Sequence, residues 1–316
     1  MYKVIMVPTN GAELERGALS VAIRFAMQVG AELRLIEVET EAVILAAGTT
    51  GFTETADFAE AERASKKARL DAVAAECRDW GVQAVGVIVE GPPGPTLVEY
   101  AGRENVDMIV MASHGRGGLK RVSLGSVTDF VIRSTHIPVL VVKPHATFLR
   151  NVPGEKAPRI LVPLDGSALS EEVLSHVESL ARSLSATVSL VQVMTPFADV
   201  RRESVDPAMP WWETQVTSGE TYLSRVERYL TEKGLTVSHE VIRGEKASDA
   251  IIRYAVKEEV GLIALSTSGV GGLRRLVLGT VADEISRKSP ISVLVFHPGF
   301  VATEVHDRIT PRETVG

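Results

Sequence analysis

The stretch GRGGLKRVSLGS at residues 115–126 decides the fold, because a close copy, GVGGLRRLVLGT, occurs at residues 269–280. An apolar run precedes each copy, at 108–111 and 262–265, and Ser-x-x-Asp or Thr-x-x-Asp begins at the last residue of each copy. This order predicts a strand, a glycine-rich loop and a helix capped by the hydroxyl residue. Backbone N–H groups at such a loop and helix start can bind an anion, so the repeat predicts two phosphate-binding positions.

The similarity between the halves extends well beyond these loops. An offset of about 155 residues places Val7 and Pro8 on Val162 and Pro163, and a repeat of this length indicates a duplicated domain rather than a solenoid. The predicted organisation is a first domain at 1–147, a linker at 148–158, a second domain at 159–298 and a C-terminal tail at 299–316.

Within each half, short β-branched runs alternate with amphipathic helical runs. The predicted strands are 4–8, 33–38, 84–90, 108–112 and 139–142, and then 160–164, 188–193, 237–243, 262–266 and 293–296. Alternating strands and helices favour parallel pairing, so each half is predicted to be a doubly wound α/β domain with a five-stranded parallel sheet flanked by helices. Ligands of such domains bind beyond the carboxyl ends of the strands, which points to the loops after the first and fourth strands.

Composition narrows the class of protein. The 34 Lys and Arg residues against 40 Asp and Glu give a net charge of −6, which argues against nucleic acid and anionic membranes as partners. No apolar run reaches the roughly 20 residues of a membrane helix, the N-terminus lacks a signal sequence, and the single cysteine, Cys77, fits a reducing compartment. We expect a cytoplasmic protein without a structural metal, since the seven histidines form no ligand-spaced cluster.

In the loop after the first strand, Asn10 of the first half is equivalent to Asp165 of the second. A carboxylate here could accept hydrogen bonds from a ribose or an adenine edge, whereas an amide both donates and accepts. A turn residue that caps the next helix would also be Asn or Asp, so the residue type alone leaves both interpretations open.

The loops after the fourth strands also allow two interpretations. Gly115 and Gly269 permit a positive φ and close approach of the main chain to an anion. Ser126 and Thr280 could cap the following helix or hydrogen-bond a phosphate. Motifs of P-loop proteins, Rossmann dehydrogenases and α/β hydrolases are absent from the sequence, which disfavours those classes.

Two long segments, 40–56 and 195–218, are predicted to be irregular and lie at matching places in the halves. The second contains three prolines and the pair Trp211 and Trp212, which would suit a flap over a pocket or a partner-docking segment. An insertion packed on the surface is the alternative.

These features resemble the universal stress protein family, and in particular its tandem-domain members, over nearly all of both halves. ATP-binding members carry G-x-x-G, nine residues, and then G-[ST]. Both repeats match this signature except at its first glycine, which is Ala112 in the first copy and Ser266 in the second. Asp-Gly-Ser at 165–167 supports the resemblance.

The resemblance implies an adenine nucleotide alpha hydrolase-like fold and an adenine pocket on each domain, binding ATP with or without Mg²⁺. The nucleotide-binding residues that it implies in the second domain are Pro163, Leu164, Asp165, Val193, Leu265, Ser266, Ser268, Gly269, Gly279, Thr280 and Val281. Those implied in the first are Pro8, Thr9, Asn10, Val38, Met111, Ala112, His114, Gly115, Gly125, Ser126 and Val127. The second domain is the preferred site, because it alone has the acid, Asp165.

The family resemblance also implies pairing of the two halves through their last strands as an internal pseudo-dimer, and possible association of two chains as a homodimer. The expected function is that of a nucleotide-dependent regulator in the stress response. A nucleotide-independent adaptor with degenerate sites and a slow ATPase are the alternatives. The sequence offers little catalytic chemistry, so we expect at most weak ATP hydrolysis.

Overall fold

The structure is a computed structural model, and the chain divides into two compact units, residues 1–145 and 146–316. The residues it describes are 2–9, 13–40, 54–113, 124–144, 157–195, 211–267 and 278–298, with the side chains of 13–16, 54–59 and 211–215 excepted.

The first unit is an α/β domain with one parallel sheet. Its elements are β1 (Val4–Pro8), α1 (Glu13–Val29), β2 (Glu32–Glu39), α2 (Glu54–Asp79), β3 (Ala84–Glu90), α3 (Pro93–Arg103), β4 (Met108–Ala112), α4 (Ser126–Ser134) and β5 (Val139–Val142). The strands lie in the order β3, β2, β1, β4, β5, and each neighbouring pair is parallel. All five predicted strands are present, with bounds within one residue of the prediction.

The second unit repeats this architecture. Its elements are β6 (Arg159–Pro163), α5 (Ala168–Glu171), α6 (Leu174–Leu184), β7 (Thr187–Met194), α7 (Trp211–Glu232), β8 (Val237–Arg243), α8 (Ala247–Lys257), β9 (Leu262–Ser266), α9 (Thr280–Lys288) and β10 (Ser292–Phe296). The order is β8, β7, β6, β9, β10, again with parallel pairs. The predicted doubly wound fold is therefore confirmed in both halves.

Burial along the strands follows their place in the sheet. The first four residues of β4 and of β9 are all buried, as expected for central parallel strands covered by helices on both faces. The edge strand β8 instead alternates between half-buried and exposed positions over most of its length. Each fully buried Ile, Leu or Met contributes about 1.5–3 kcal/mol to folding, so the central strands hold the frame of each domain.

The strand order reverses beside β1 in the first sheet and beside β6 in the second. β6 pairs with β7 on one side and with β9 on the other, so the segments that follow β6 and β9 leave the same edge of the sheet in different directions. A cleft at the carboxyl ends of these strands is the expected result.

The prediction that residues 195–218 are irregular was wrong at the end of the segment, since α7 begins at Trp211. Trp211 and Trp212 thus belong to the first turn of a 22-residue helix rather than to a loop. Its buried residues Leu223, Val226 and Leu230 repeat at helical spacing, and this apolar stripe stabilises the helix. The rest of the proposed flap, 196–210, lies outside the described residues.

The prediction that residues 40–56 are irregular was also wrong at the end of the segment, since α2 begins at Glu54. Residues 41–53 of that segment lie outside the described part of the chain.

Gly86 of β3 provides a test of the packing between sheet and helix. A Cβ at this position would lie 2.6 Å from Leu70 Cβ and 3.1 Å from the Leu70 carbonyl carbon on α2. Gly86→Ala is expected to lower the free energy of unfolding by about 1–3 kcal/mol through overpacking, measured by urea denaturation. Gly17→Ala is the control: a Cβ there meets nothing within 4 Å, so the helix gains up to about 1 kcal/mol. Equal effects of the two substitutions would contradict the packing shown.

Because His176 of α6 is buried, we expect the free energy of unfolding to depend on pH. Its ring packs against Phe296 with centroids 4.4 Å apart and the ring planes inclined by 57°, and burial lowers the pKa of His176 to about 4. In the unfolded chain the pKa of histidine is about 6.5, so the unfolded state takes up the proton first as the pH falls. The contribution of neutral His176 to the free energy of unfolding is therefore retained above pH ~6.5. It is lost between pH ~6.5 and ~4, at up to about 1.4 kcal/mol per pH unit.

His176→Phe is expected to flatten this pH dependence, because the substitution removes the titrating group and keeps an aromatic ring against Phe296. Chemical denaturation of wild type and variant at pH 7 and pH 5 measures the effect. The same stability difference between the two proteins at both pH values would contradict the role assigned to His176.

Candidate functional site

A cavity of about 440 Å³ lies at the carboxyl edge of the second sheet. The ends of β6, β7 and β9 form its floor, and residues of α7, α8 and α9 contribute to its walls. Seven of the residues predicted from the sequence line it: Pro163, Leu164, Asp165, Val193, Leu265, Ser266 and Val281. The switch point of the sheet thus brings together residues from four separate segments of the chain.

Two further predicted residues, Gly279 and Thr280, lie at the start of α9, next to the cavity-lining Val281, but do not line the cavity themselves. Ser268 and Gly269 lie outside the described residues. Val281 is 39% exposed although it is apolar, which is the exposure expected of a hydrophobic side chain at the mouth of a cavity.

In the first domain the predicted residues Pro8, Thr9, Val38, Met111 and Ala112 lie at the ends of β1, β2 and β4. The Thr9 amide continues the sheet by donating to the Ile36 carbonyl at 2.7 Å. The other residues that the structure describes, Gly125, Ser126 and Val127, form the start of α4. Asn10, His114 and Gly115 lie outside the described residues.

The expectation that Ser126 and Thr280 cap their helices was wrong. The N-cap residues are Gly125 and Gly279, with φ and ψ near −62° and 147° in the first case and −61° and 152° in the second, and neither helix has a side-chain cap. The hydroxyl residues therefore occupy the first helical position. No N-cap side chain pairs with the first-turn N–H groups of either helix, and these groups carry the positive end of the helix dipole.

The acids of the Ser-x-x-Asp and Thr-x-x-Asp patterns have another role. Asp129 pairs with Arg133 at 3.1 Å, and Asp283 pairs with Arg287 at 3.0 Å, both one turn further along the same helix. These ion pairs account for the acidic residue at the fourth position of each pattern, so a capping box is not needed to explain it.

Asp165 shapes the loop after β6. Its Oδ1 accepts hydrogen bonds from the amide of Ser167 at 2.9 Å and from the Ser167 hydroxyl at 2.6 Å. Ser167, not Asp165, is the N-cap of α5, since its Oγ accepts from the amide of Ser170 at 3.1 Å. The simple capping interpretation of Asp165 is thus wrong, and its carboxylate is exposed at the cavity.

Sequence reasoning missed the wall of the cavity that α7 and the outer strands form. Gln192 and Met194 of β7, Gly219 of α7 and Val241 of β8 all line the cavity. A glycine within a 22-residue helix and a polar residue within a buried strand are signals that could have identified Gly219 and Gln192.

Tyr222 lies one turn beyond Gly219 and ties α7 to α5. Its hydroxyl donates to Oε1 of Glu171 at 2.9 Å, and Glu171 is fully buried. Burial, followed by the nearby Glu171 carboxylate, raises the pKa of Tyr222 well above its usual value. The hydroxyl therefore stays protonated and keeps this wall of the cavity in place.

Three buried side-chain oxygens in this region have no hydrogen-bond partner among the described residues. They are Oε1 of Gln192, Oγ of Ser266 and Oγ1 of Thr267. The first two belong to cavity-lining residues. An unpaired buried polar group costs about 1–3 kcal/mol, so this concentration at one cavity indicates a place for a polar ligand.

The first domain fills the corresponding strand positions with paired charges. The register of β1 on β2 equals that of β6 on β7, which makes Glu37 the counterpart of Gln192 and Glu39 the counterpart of Met194. Both glutamates are less than 10% exposed. Glu37 pairs with Arg69 at 2.5 Å, so its charge is compensated within the domain.

The helix facing these strands differs in the same way. Glycines with φ near +81° and +82°, Gly81 and Gly234, follow α2 and α7, and counting back from them makes Lys66 the counterpart of Gly219. Lys66 Nζ lies 3.2 Å from Glu39 Oε1. Burial works to lower the pKa of Lys66, but hydrogen bonds to Glu62 and Glu39 outweigh it and the net pKa is raised. A long paired side chain thus stands where the second domain has a cavity-lining glycine.

Thr267 and Thr128 form a matched pair for testing the unpaired hydroxyls. Thr267→Val removes a fully buried hydroxyl without a partner among the described residues and is expected to raise the free energy of unfolding by about 1 kcal/mol. Thr128→Val removes a hydroxyl that donates to the Ala112 carbonyl at 3.1 Å and should lower it by about 1 kcal/mol. Urea denaturation measures both, and destabilisation by Thr267→Val would show that its hydroxyl has a partner.

Two searches covered the described residues alone. Among them no group of three or more His, Cys, Asp and Glu side chains is placed to hold a metal ion. None of the helices within the described ranges has the length and apolar character to cross a membrane.

Comparison with known proteins matches both halves to one family. The family model described as "Universal stress protein family" matches residues 1–143 and 157–297. Universal stress protein MJ0577 of Methanocaldococcus jannaschii is 35% identical over 155 residues, which cover 45% of this chain and 96% of that protein. Universal stress protein Rv2005c of Mycobacterium tuberculosis is 26% identical over 208 residues, covering 66% of this chain and 67% of the relative.

A solved structure is similar over the length of the chain. The universal stress protein from Archaeoglobus fulgidus has a TM-score of 0.68 at 20% identity, with 94% of this chain and 98% of that chain covered. At this identity the similarity is evidence of the fold.

Proposed function

The chain belongs to the universal stress protein family, and on this premise we propose that it is a tandem stress-response protein whose second domain binds an adenine nucleotide. The cavity at the switch point of the second sheet, lined by seven residues predicted for that role, carries the proposal. Its volume of about 440 Å³ falls in the range of small-molecule sites.

The two ends of the cavity suit the two ends of a nucleotide. The α9 end supplies first-turn N–H groups without a side-chain cap, and such groups favour phosphate. The opposite end combines Val193, Met194 and Val241, whose apolar side chains favour a flat base. We place the ribose between them, where Asp165 can accept hydrogen bonds from hydroxyl groups.

The first domain supports this proposal by contrast. Its Glu37, Glu39 and Lys66 are already paired within the domain, and a largely buried charge is destabilised when it loses its partner. Opening the first domain for a base would have to disrupt these pairs. We therefore propose one nucleotide for each chain, bound by the second domain.

The proposed ligand is ATP or a close relative, and any Mg²⁺ is proposed to enter on the phosphates of the nucleotide. Occupancy would regulate the conformation or the partner choice of the protein rather than drive catalysis. The single cysteine, Cys77, is buried, burial raises the pKa of its thiol, and a protein with one inert thiol suits a reducing cytoplasm. The internal pseudo-dimer of the two domains and the homodimer of two chains remain predictions.

Mass spectrometry of the denatured purified protein and calorimetric titration with ATP test the proposed function. We expect either co-purified adenine nucleotide or a stoichiometry of one ATP for each chain. Absence of both co-purified nucleotide and binding heat at millimolar ATP would refute nucleotide binding. Two sites of equal affinity would refute the assignment to the second domain.

Asp165→Ala locates the site. Loss of the carboxylate should weaken ATP binding by about tenfold or more, the effect of removing a charged hydrogen-bond acceptor. Asn10→Ala, at the matching position of the first half, is the control and should leave the affinity unchanged. Ser167→Ala removes the N-cap of α5, at a cost of about 1 kcal/mol in stability, and keeps the carboxylate. If Ser167→Ala weakens ATP binding as much as Asp165→Ala does, Asp165 acts through the loop alone.

A further inference from the structure

We propose that the side-chain amide of Gln192 recognises the polar edge of a 6-aminopurine, and that Gly219 keeps the space in which this amide lies. This inference rests on the proposed nucleotide binding and names a specificity-determining contact within it. Neither residue belongs to the nucleotide signature found in the sequence.

The position of the amide is the first observation. Gln192 lies on β7 beside Val241 of β8 in the parallel register, and both residues line the cavity. The Gln192 Oε1 is buried without a hydrogen-bond donor among the described residues. A buried polar atom in this state at a cavity calls for a partner from a ligand.

The glycines around the amide are the second observation. A Cβ at Gly219 would lie 2.9 Å from Gln192 Oε1 and 2.9 Å from Val241 Cγ2. A Cβ at Gly166, in the loop after β6, would lie 3.8 Å from Gln192 Nε2. The amide thus extends between helix α7 and the Asp165 loop, and any side chain at Gly219 would displace it.

The third observation is the chemistry of the surroundings. Val193, Met194 and Val241 contribute apolar side chains to this end of the cavity, and Gln192 contributes the amide among the polar residues Thr195 and Ser218. An amide offers one donor and one acceptor side by side, and adenine offers the complementary pair in its 6-amino group and a ring nitrogen. Because the oxygen and nitrogen of an amide can exchange places by rotation, the side chain can match either order.

The counterpart residues of the first domain are the fourth observation. Position 37 there is a glutamate bound to Arg69, and position 66 is a lysine bound to Glu39. The exchange of Glu for Gln and of Lys for Gly thus removes two charges and one long side chain together. In the second domain these positions hold an amide whose oxygen has no partner among the described residues and a glycine against which that amide lies.

The experiment compares ATP with purine riboside 5′-triphosphate, which lacks the 6-amino group, by calorimetric titration of the full chain. Wild type is expected to bind ATP at least about tenfold more tightly, the discrimination of a bidentate amide contact. Gln192→Met, which keeps the length of the side chain and removes the amide, should lose this preference by weakening ATP alone.

Gly219→Ala provides the second variant. It should weaken ATP binding because the new methyl group displaces the amide, while thermal unfolding without ligand shows a folded domain. Gly102→Ala is its control, since a Cβ at this helical glycine of α3 would meet nothing within 4 Å, and its affinity for ATP should equal that of wild type.

The outcomes separate the two proposals. If wild type binds ATP and the analogue equally, or if Gln192→Met weakens both ligands by the same factor, the role of Gln192 is refuted and nucleotide binding stands. If wild type binds neither ligand, both proposals are refuted. Loss of the preference in Gln192→Met together with weaker ATP binding in Gly219→Ala supports the inference.

Discussion

Parallel pairing of β6 with β7 on one side and β9 on the other is the constraint on which the candidate site depends. Since the strands are parallel, their carboxyl ends meet at one edge of the sheet, and the segments that follow them diverge there. The buried central strands fix this edge, because moving them would expose side chains such as Ile160 and Ile263 that are inaccessible to solvent. The core of the domain therefore positions the strand ends at the cavity, and local hydrogen bonds such as that of Tyr222 to Glu171 hold the helices around them.

The two halves share this arrangement of strands and differ in the residues at the carboxyl ends of the outer strands. In the first domain, Glu37, Glu39, Arg69 and Lys66 form ion pairs over the ends of the outer strands. The counterparts of Glu37, Glu39 and Lys66 in the second domain are uncharged, and buried charges are tolerated only with partners. Exchanging one of these residues would break an ion pair, although Lys66 also contacts Glu62 at 3.1 Å and Glu39 also lies 3.8 Å from Arg63. At these matching positions the first domain therefore carries ion pairs and the second carries uncharged residues that line a cavity.

The sequence predicted the frame well, because the alternation of β-branched runs with amphipathic runs reflects burial directly. The same reasoning assigned Ser126 and Thr280 as helix caps, since a hydroxyl residue followed by an acid three positions later fits a cap or a first turn equally well. Gln192 and Gly219 escaped prediction for a different reason. Which face of β7 meets which face of α7 depends on tertiary packing, and a sequence pattern does not place a helical glycine opposite a particular strand residue.

The unpaired oxygens of Gln192 and Ser266 have a consequence for the thermodynamics of the whole chain. The proposed ligand, bound only by the folded second domain, would raise the unfolding free energy of that domain with the logarithm of the ligand concentration. In the first domain the charged residues at the matching positions form ion pairs with one another. These positions would therefore give the first domain no comparable dependence of stability on ligand concentration. With the proposed nucleotide bound, one polypeptide would join a domain whose stability is independent of that ligand to one whose stability reports its concentration.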